Sequence, residues 1–188
     1  MVYFQIISLA KAYGNIGEEG LGLIRAYFKL KKVKKGDILM DDDGNGMLYF
    51  VNSGIIRAYY RNDDGEQVTR MIAWENRLLT NIINFENFSG ESEIIECIEE
   101  AEILCITKSD FQQLAKQSIE IMNFFFKILE NSILLYVDKA HCMGKSTREK
   151  IEYLKRNYRP IIGRVTDSVM ASFLSISREH FVRNKKFL

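Results

Sequence analysis

Residues 46–74 read GMLYFVNSGIIRAYYRNDDGEQVTRMIAW, and the fold turns on how this stretch is divided. β-Branched and aromatic residues dominate it, and two polar clusters interrupt it, Asn52-Ser53-Gly54 and Asp63-Asp64-Gly65. Such residues fit the half-buried surface of a pleated sheet. Asp-Gly supplies the positive φ of a tight turn, so the second cluster predicts a hairpin and the first a break between strands.

Upstream, FKLKKVKKGDILM (28–40) sets Phe28, Leu30 and Val33 among lysines and then turns at Lys35-Gly36-Asp37. That alternation is the grammar of a strand with one wet face. Downstream, SEIIECIEEAEILCITK (92–108) predicts a further strand pair. Two helical stretches, residues 3–13 and 17–28, precede the strands. Several short strands at this spacing point to an antiparallel sandwich or β-barrel of jelly-roll type.

The period changes after residue 108. With Asp110 as its cap, SDFQQLAKQSIEIMNFFFKILENSILLYVDKAHCMG (109–144) runs without proline, and without glycine before Gly144, which predicts one long helix. Leu114, Ile121, Phe125, Ile128 and Leu135 recur at nearly heptad spacing, while Phe124, Phe126, Ile133, Leu134 and Val137 occupy other faces. A helix apolar on more than one side needs cover on more than one side. The seam is therefore expected to pair with a second copy of itself across a two-fold axis.

Beyond Gly144, STREKIEYLKRNY (146–158) opens with a capping box, Ser146 followed three residues later by Glu149, and Arg159-Pro160 ends the helix. RVTDSVMASFLSISREHFVRNKKFL (164–188) then offers two short helices. Thr166 or Asp167 caps the first, Ser175-Ile176 forms the turn, and Ser177 caps the second. Helices joined this tightly make a helix-turn-helix, whose second member enters the DNA major groove.

Charge divides the chain in the same place. Residues 143–188 carry eleven Lys and Arg against four Asp and Glu, a surplus of seven, whereas residues 1–142 carry fifteen against twenty-one. A basic quarter on an acidic remainder points to a polyanionic partner. The expected organisation is a sensor domain over 1–108, a dimerisation helix over 109–142 and a DNA-binding domain over 143–188.

The chain has 188 residues, of which 47% are hydrophobic and one is proline, enough for a packed core and unlike a disordered segment. No apolar run approaches the roughly 20 residues that span a bilayer, and the N-terminus lacks the marks of a signal peptide, so a cytoplasmic location is expected. Cys97, Cys105 and Cys142 are widely spaced and include no CxxC pair, so buried free thiols are expected. His141 and His180 lie outside the strand-rich region, and no nucleophile–base constellation stands out, so neither a metal site nor an enzyme is expected.

The order of barrel, long helix and basic helix-turn-helix, over nearly the whole chain, resembles the Crp/Fnr family of bacterial transcription regulators. VTDSVMASFLSISREHFVR (165–183) is similar to the family's pattern at Val165, Thr166, Ala171 and Leu174, and at Ser177-Arg178-Glu179 followed by Arg183. YFVNSGIIRAYY (49–60), with Gly54 between two strand runs, resembles the family's barrel. The resemblance implies an α+β chain: a cyclic-nucleotide-binding-domain-like barrel, a dimerisation helix and a winged or shortened helix-turn-helix. Arg178, Glu179 and Arg183 would face base edges, while Thr166, Ser177, Lys185 and Lys186 would hold phosphates. That chemistry is sound in itself, since arginine grips guanine bidentately and glutamate accepts from cytosine. The implied partners are double-stranded DNA, a second copy of the chain and RNA polymerase, with no membrane.

The sequence also departs from the family. Ser175 stands at a turn position that usually carries glycine, Asn184 stands where an apolar residue is general, and Phe187 and Leu188 are expected to substitute for missing packing. Nucleotide-binding members carry a phosphate cassette with Gly-Glu and a later Arg followed by Ser or Thr. Here NRLLTNIINFENFSGESEIIECI (76–98) has Thr80-Asn81 near the first site and no arginine after Arg77. Glu91 and Glu93 stand where an anion would want a cation. Cyclic AMP and cyclic GMP are therefore disfavoured, three scattered cysteines argue against an iron–sulfur cluster, and haem stays open. The effector pocket, drawn from Arg70, Thr80, Asn81 and Ser92, would take an unidentified small molecule. The competing reading is a ligand-binding or scaffolding barrel with a degenerate DNA reader.

Overall fold

The computed structural model describes residues 2–14, 16–39, 46–81 and 93–188. Helices α1 (Phe4–Gly14) and α2 (Glu18–Tyr27) lead into strands β1 (Lys29–Val33), β2 (Ile38–Leu39), β3 (Met47–Arg61), β4 (Gln67–Ala73), β5 (Leu78–Thr80) and β6 (Ile94–Thr107). Helices α3 (Lys108–Gln117), α4 (Ile119–Met143), α5 (Thr147–Asn157), α6 (Asp167–Phe173) and α7 (Arg178–Asn184) follow, with 3-10 turns at Arg159–Ile161 and Lys185–Phe187. None of the described helices is long and apolar enough to cross a membrane.

The described strands form one antiparallel sheet in the order β1-β6-β3-β4, with β2 on β6 and β5 on β3. The Asn52-Ser53-Gly54 cluster does not end a strand as expected. β3 runs through it, with register shifts at Val51/Ser53, Ser53/Ile55 and Ile55/Ile56 against β6. Gly54 has φ 86°, and a Cβ there would lie 2.3 Å from the Glu100 carbonyl oxygen and 2.6 Å from the Ala101 Cβ. The turn residues therefore make a bulged kink rather than a reversal. Before the kink β3 pairs with β5, and after it with β4.

The strand pair expected in 92–108 is likewise a single strand, β6. Residues 94–107 contain no Gly, Pro, Asn or Asp with which to reverse the chain. β6 instead pairs with β3 and also with two further strands, β2 through Ile95 and Glu96 and β1 through Ala101–Cys105. The Asp63-Asp64-Gly65 hairpin forms as read, with Gly65 at φ 79° and its N–H donating to the Asn62 carbonyl at 2.8 Å.

The long helix is broken once. Ser118 adopts φ −148°, ψ 119°, and its Oγ accepts from the Ile121 N–H at 3.3 Å, so it ends α3 and caps α4. The cap of α3 is Thr107, whose Oγ accepts from the Asp110 N–H at 3.0 Å, rather than Asp110 itself. The apolar seam also needs correction. Leu114, Ile121, Phe125 and Ile128 are buried within the chain, packed with Ile6, Ala10, Phe28, Phe50 and Leu104 from α1, the α2–β1 junction and the sheet, and Leu135 is half-buried. The exposed face carries Met122, Phe126, Leu129, Ile133 and Tyr136, spaced four, three, four and three apart. Both faces have heptad spacing, so periodicity alone does not reveal which one the rest of the chain covers.

Three apolar clusters result. One lies between the sheet and α1–α4, a second lies among the strands around Val51, Ile56 and Ile103, and a third joins Ile55, Ile72 and Trp74 to Ile151, Tyr158, Phe173 and Phe181 of the C-terminal helices. Cys97, Cys105 and Cys142 are buried free thiols, and burial pushes the Cys97 thiol up to about 11.

The kink can be tested through its glycine. Gly54→Ala meets backbone and should cost about 3 kcal/mol, whereas Gly36→Ala, at φ 91° with open space around it, should cost about 1 kcal/mol. Urea denaturation of both variants checks the difference, and equal losses would mean that strain at positive φ, not the close approach to Glu100, governs Gly54.

Candidate nucleic-acid interface

The C-terminal helices are set by short-range capping. Ser146 and Glu149 form the expected capping box on α5. Thr166, not Asp167, caps α6, its Oγ accepting from the Val169 N–H at 3.4 Å, and Ser177 caps α7, accepting from the His180 N–H at 3.2 Å. Each hydroxyl still has its own proton to donate outward. Between the helices Ser175 sits at φ 51°, and the turn closes through Ser175 N–H to the Ser172 carbonyl and Ile176 N–H to the Ala171 carbonyl, both 3.1 Å. Serine thus adopts the left-handed conformation that glycine adopts without strain.

Phe181 is the one buried residue of α7. It points into the cluster with Met170, Phe173 and Leu174, which leaves Arg178, Glu179 and Arg183 exposed. Among the described residues neither arginine meets a carboxylate within ion-pair distance. Lys185 does, its Nζ lying 2.7 Å from Asp167 Oδ1, which ties the end of α7 to the start of α6. Lys186 lies over the Phe187 ring at 5.3 Å. Asn184, at the position expected to be apolar, closes its own helix by donating to the His180 carbonyl at 2.9 Å. Phe187 and Leu188 pack partly buried against the same cluster, as anticipated.

Long-range contacts that local spacing does not announce fix this unit on the sheet. Arg164 donates through Nη1 and Nη2 to Glu75 at 3.0 and 2.7 Å, and through Nε and Nη2 to Glu99 at 2.9 and 2.8 Å. Arg164 holds the Glu75 carboxyl below the usual carboxylate range. Ser172 Oγ accepts from the Thr69 N–H at 2.8 Å and donates to the Gln67 carbonyl at 2.7 Å, so α6 covers the outer edge of β4. Lys139 donates to the Arg70 carbonyl at 2.7 Å and lies 4.0 Å from the Phe173 ring centroid. Burial, with the Arg70 charge adding to it, pushes the Lys139 ammonium down to about 8.

A separate cavity of about 510 Å³ lies between the sheet and α4, walled mainly by Leu48, Met71, Leu79, Phe125, Phe126 and Leu129. Of the expected effector residues, Arg70 and Thr80 line it, Asn81 lies buried behind, and Ser92 falls outside the described residues. The structure brings the three together on one another. Arg70 pairs with Glu93 and with the Tyr136 hydroxyl and donates to the Thr80 carbonyl at 2.9 Å, while Asn81 Nδ2 donates to the Glu93 carbonyl at 2.9 Å. The Thr80 hydroxyl is engaged by the Met47 carbonyl at 2.7 Å. The Glu93 side chain is 4% exposed, so the Arg70 charge is met from inside the protein. Among the described residues no three His, Cys, Asp or Glu side chains converge as a metal site.

Residues 30–118 match the cyclic nucleotide-binding domain family. No curated protein sequence matches the chain. Among solved structures it is similar to a cyclic nucleotide-binding domain containing protein from Listeria monocytogenes, at TM-score 0.69 and 10% identity over 97% of this chain and 89% of that one. It is similar to the c-di-GMP responsive global regulator CLP of Xanthomonas campestris, at 0.66 and 17% over 90% of each chain. A protein from Eubacterium rectale described as a transcriptional regulator of the Crp/Fnr family is also similar, at 0.64 and 18% over 92% and 83%. At these identities the likeness is one of fold, a jelly-roll-like antiparallel sheet followed by helices arranged as in Crp/Fnr regulators.

Lys139 gives the interface a pH signature. Its value in the folded chain lies below the ordinary 10.5, so between about 8 and 10.5 the unfolded chain binds more protons and this group makes stability rise with pH. Urea midpoints at about pH 7.5 and 9.5 should therefore rise in the wild type relative to Lys139→Met. Parallel pH profiles would show that the ammonium is not desolvated. Removing the fork by Arg164→Ala should speed amide hydrogen exchange over residues 147–188 while leaving 94–107 protected.

Proposed function

We propose that this chain, with a cyclic nucleotide-binding domain over residues 30–118 and the fold of Crp/Fnr regulators, is a dimeric, sequence-specific DNA-binding regulator of transcription. The observation that carries the reading is α7. One buried aromatic, Phe181, anchors it and directs Arg178, Glu179 and Arg183 outward, with no carboxylate partner for either arginine among the described residues. Such side chains read base edges, while Thr166, Ser177 and Lys186 supply phosphate contacts and Lys185 does so in competition with Asp167.

Residues 1–108 act as the sensor, 109–142 as the dimer element and 143–188 as the reader. The dimer seam is the exposed stripe of Met122, Phe126, Leu129, Ile133 and Tyr136. Such a stripe matches the knobs of a coiled-coil pair, and its dyad would place two α7 helices on half-sites about 34 Å apart. The effector is something other than a cyclic nucleotide. Among the described residues lining the cavity of about 510 Å³, Arg70 is the one charged side chain, and Glu93 neutralises it, so the walls favour an uncharged apolar molecule.

A mobility-shift titration tests the reading, with DNA from upstream of the chain's own and neighbouring genes at two salt concentrations. The wild type should give a sequence-selective shift that weakens as salt rises, and Arg178→Ala/Arg183→Ala should lose the selectivity, each good arginine–guanine pair being worth about 1–3 kcal/mol. Salt-sensitive binding without selectivity, unchanged in the double variant, would reduce α7 to a basic surface.

A further inference from the structure

The turn from β4 to β5 holds a cation, Arg77, whose guanidinium has no hydrogen-bond acceptor among the described residues. The Arg77 backbone is pinned, its N–H donating to the Trp74 carbonyl at 3.1 Å and its carbonyl accepting from the Val51 N–H at 3.0 Å. Asn76 beside it sits at φ 65°. The guanidinium carbon lies over the Trp74 indole, 4.4 Å from the ring centroid, and the residue is half-buried. Arg57, Arg70 and Arg164 each have a glutamate, but among the described residues no carboxylate or carbonyl accepts from the Arg77 side chain. A partly desolvated charge without a hydrogen-bond partner is unfavourable as it stands and is relieved by an anion.

That guanidinium lines a cavity of about 230 Å³ enclosed by Leu9 and Tyr13 of α1, the Trp74–Leu78 turn, and Ile128, Asn131, Ser132 and Leu135 of α4. The cavity has two kinds of wall. Arg77, Asn131 and Ser132 make it polar on one part, and Leu9, Leu78, Ile128 and Leu135 make it apolar on another. Glu75 also borders it, with one oxygen held by Arg164 and the other by both Arg164 and the Gly54 N–H. The volume lies below the roughly 300–1,000 Å³ typical of drug-sized ligands. One guanidinium matches one negative charge, and Glu75 and the nearby Asp138 disfavour a second.

We propose that this cavity binds a small monocarboxylate with a short branched or aromatic tail, its carboxylate on the Arg77 guanidinium and its tail against Leu9, Leu78, Ile128 and Leu135. The Asn131 amide supplies a second donor. The site adjoins the cavity of about 510 Å³ and shares Met71, Leu78, Ile128 and Ser132 with it, but Arg77 and Asn131 line the smaller of the two and not the other. It also does not depend on the DNA-binding reading, because nothing in it comes from α6 or α7. Occupancy is nevertheless felt there. The Trp74 ring lies 5.4 Å from Tyr158, which lies 4.8 Å from Phe173 of α6, so the stack beneath the ligand belongs to the core of the C-terminal unit.

Trp74 is the single tryptophan of the chain, so its emission reports on this site. The full-length chain would be titrated at constant ionic strength with sodium isovalerate, and separately with isovaleramide, its uncharged isostere. A saturable emission change is expected with the acid, at least about tenfold weaker with the amide, a factor equivalent to about 1.4 kcal/mol. Arg77→Gln should weaken it likewise. Because that substitution alters the indole's own surroundings, Asn131→Leu, which fills the cavity but leaves the Arg77–Trp74 stack, serves as the second variant, with melting curves confirming that both fold. Equal responses to acid and amide, a response unchanged in both variants, or no saturable response to isovalerate or benzoate at tens of millimolar would overturn the proposal.

Discussion

Arg164 holds Glu75 and Glu99 together with four donor contacts of 2.7–3.0 Å, and much of the molecule meets at that point. Glu75 begins the turn between β4 and β5, Glu99 lies in β6 opposite Ile55 at the kink of β3, and Arg164 precedes α6. One oxygen of Glu75 also accepts from the Gly54 N–H at 2.9 Å, which reaches the kink of β3. The side chains are about a third exposed, so water screens the Coulomb part of this network. Its effect lies mainly in geometry. A planar guanidinium shared between two carboxylates leaves little freedom of orientation between sheet and helices.

The long helix shows how one apolar segment serves two purposes. Its inner face fills the space between α1 and the sheet, where Phe125 stacks on Phe28 at 5.9 Å and meets Phe111 edge-on at 4.9 Å. Its outer face, from Met122 to Tyr136, remains exposed within the chain. Lys139, a turn beyond Tyr136, reaches back to β4, so the helix that carries this exposed stripe is also tied to the strand against which α6 packs.

How much of this was legible beforehand depended on the range of the interaction. The Asp63-Asp64-Gly65 hairpin, the capping box at Ser146 and the cap at Ser177 depend on neighbours within a few residues and are plain in the sequence, which also narrows the cap of α6 to Thr166 or Asp167. The same residue types mislead when the partner is distant. Asn52-Ser53-Gly54 has the chemistry of a turn, and only the approach of Glu100 and Ala101 makes it a kink. Ser118 breaks the helix although nothing in its immediate sequence demands it. For the candidate sites, the outward set on α7 could be read from motif and charge. Arg70 was read as an effector residue and Glu93 as unfavourable to an anion, but that the two pair with each other is a long-range contact. Arg164, Ser172 and Arg77 carried no local signal, since their partners or pocket walls lie tens of residues away.

The Ser172 hydroxyl occupies the place of a neighbouring strand. By accepting from Thr69 and donating to Gln67 it satisfies one step of the outer ladder of β4, an edge that would otherwise present unpaired amides beside the apolar Ile72 and Trp74. Any rearrangement that carries α6 away from the sheet also bares that edge, and bare edges recruit strands from other molecules. Exposure of this edge, and with it the tendency of the chain to self-associate, therefore depends on one serine hydroxyl.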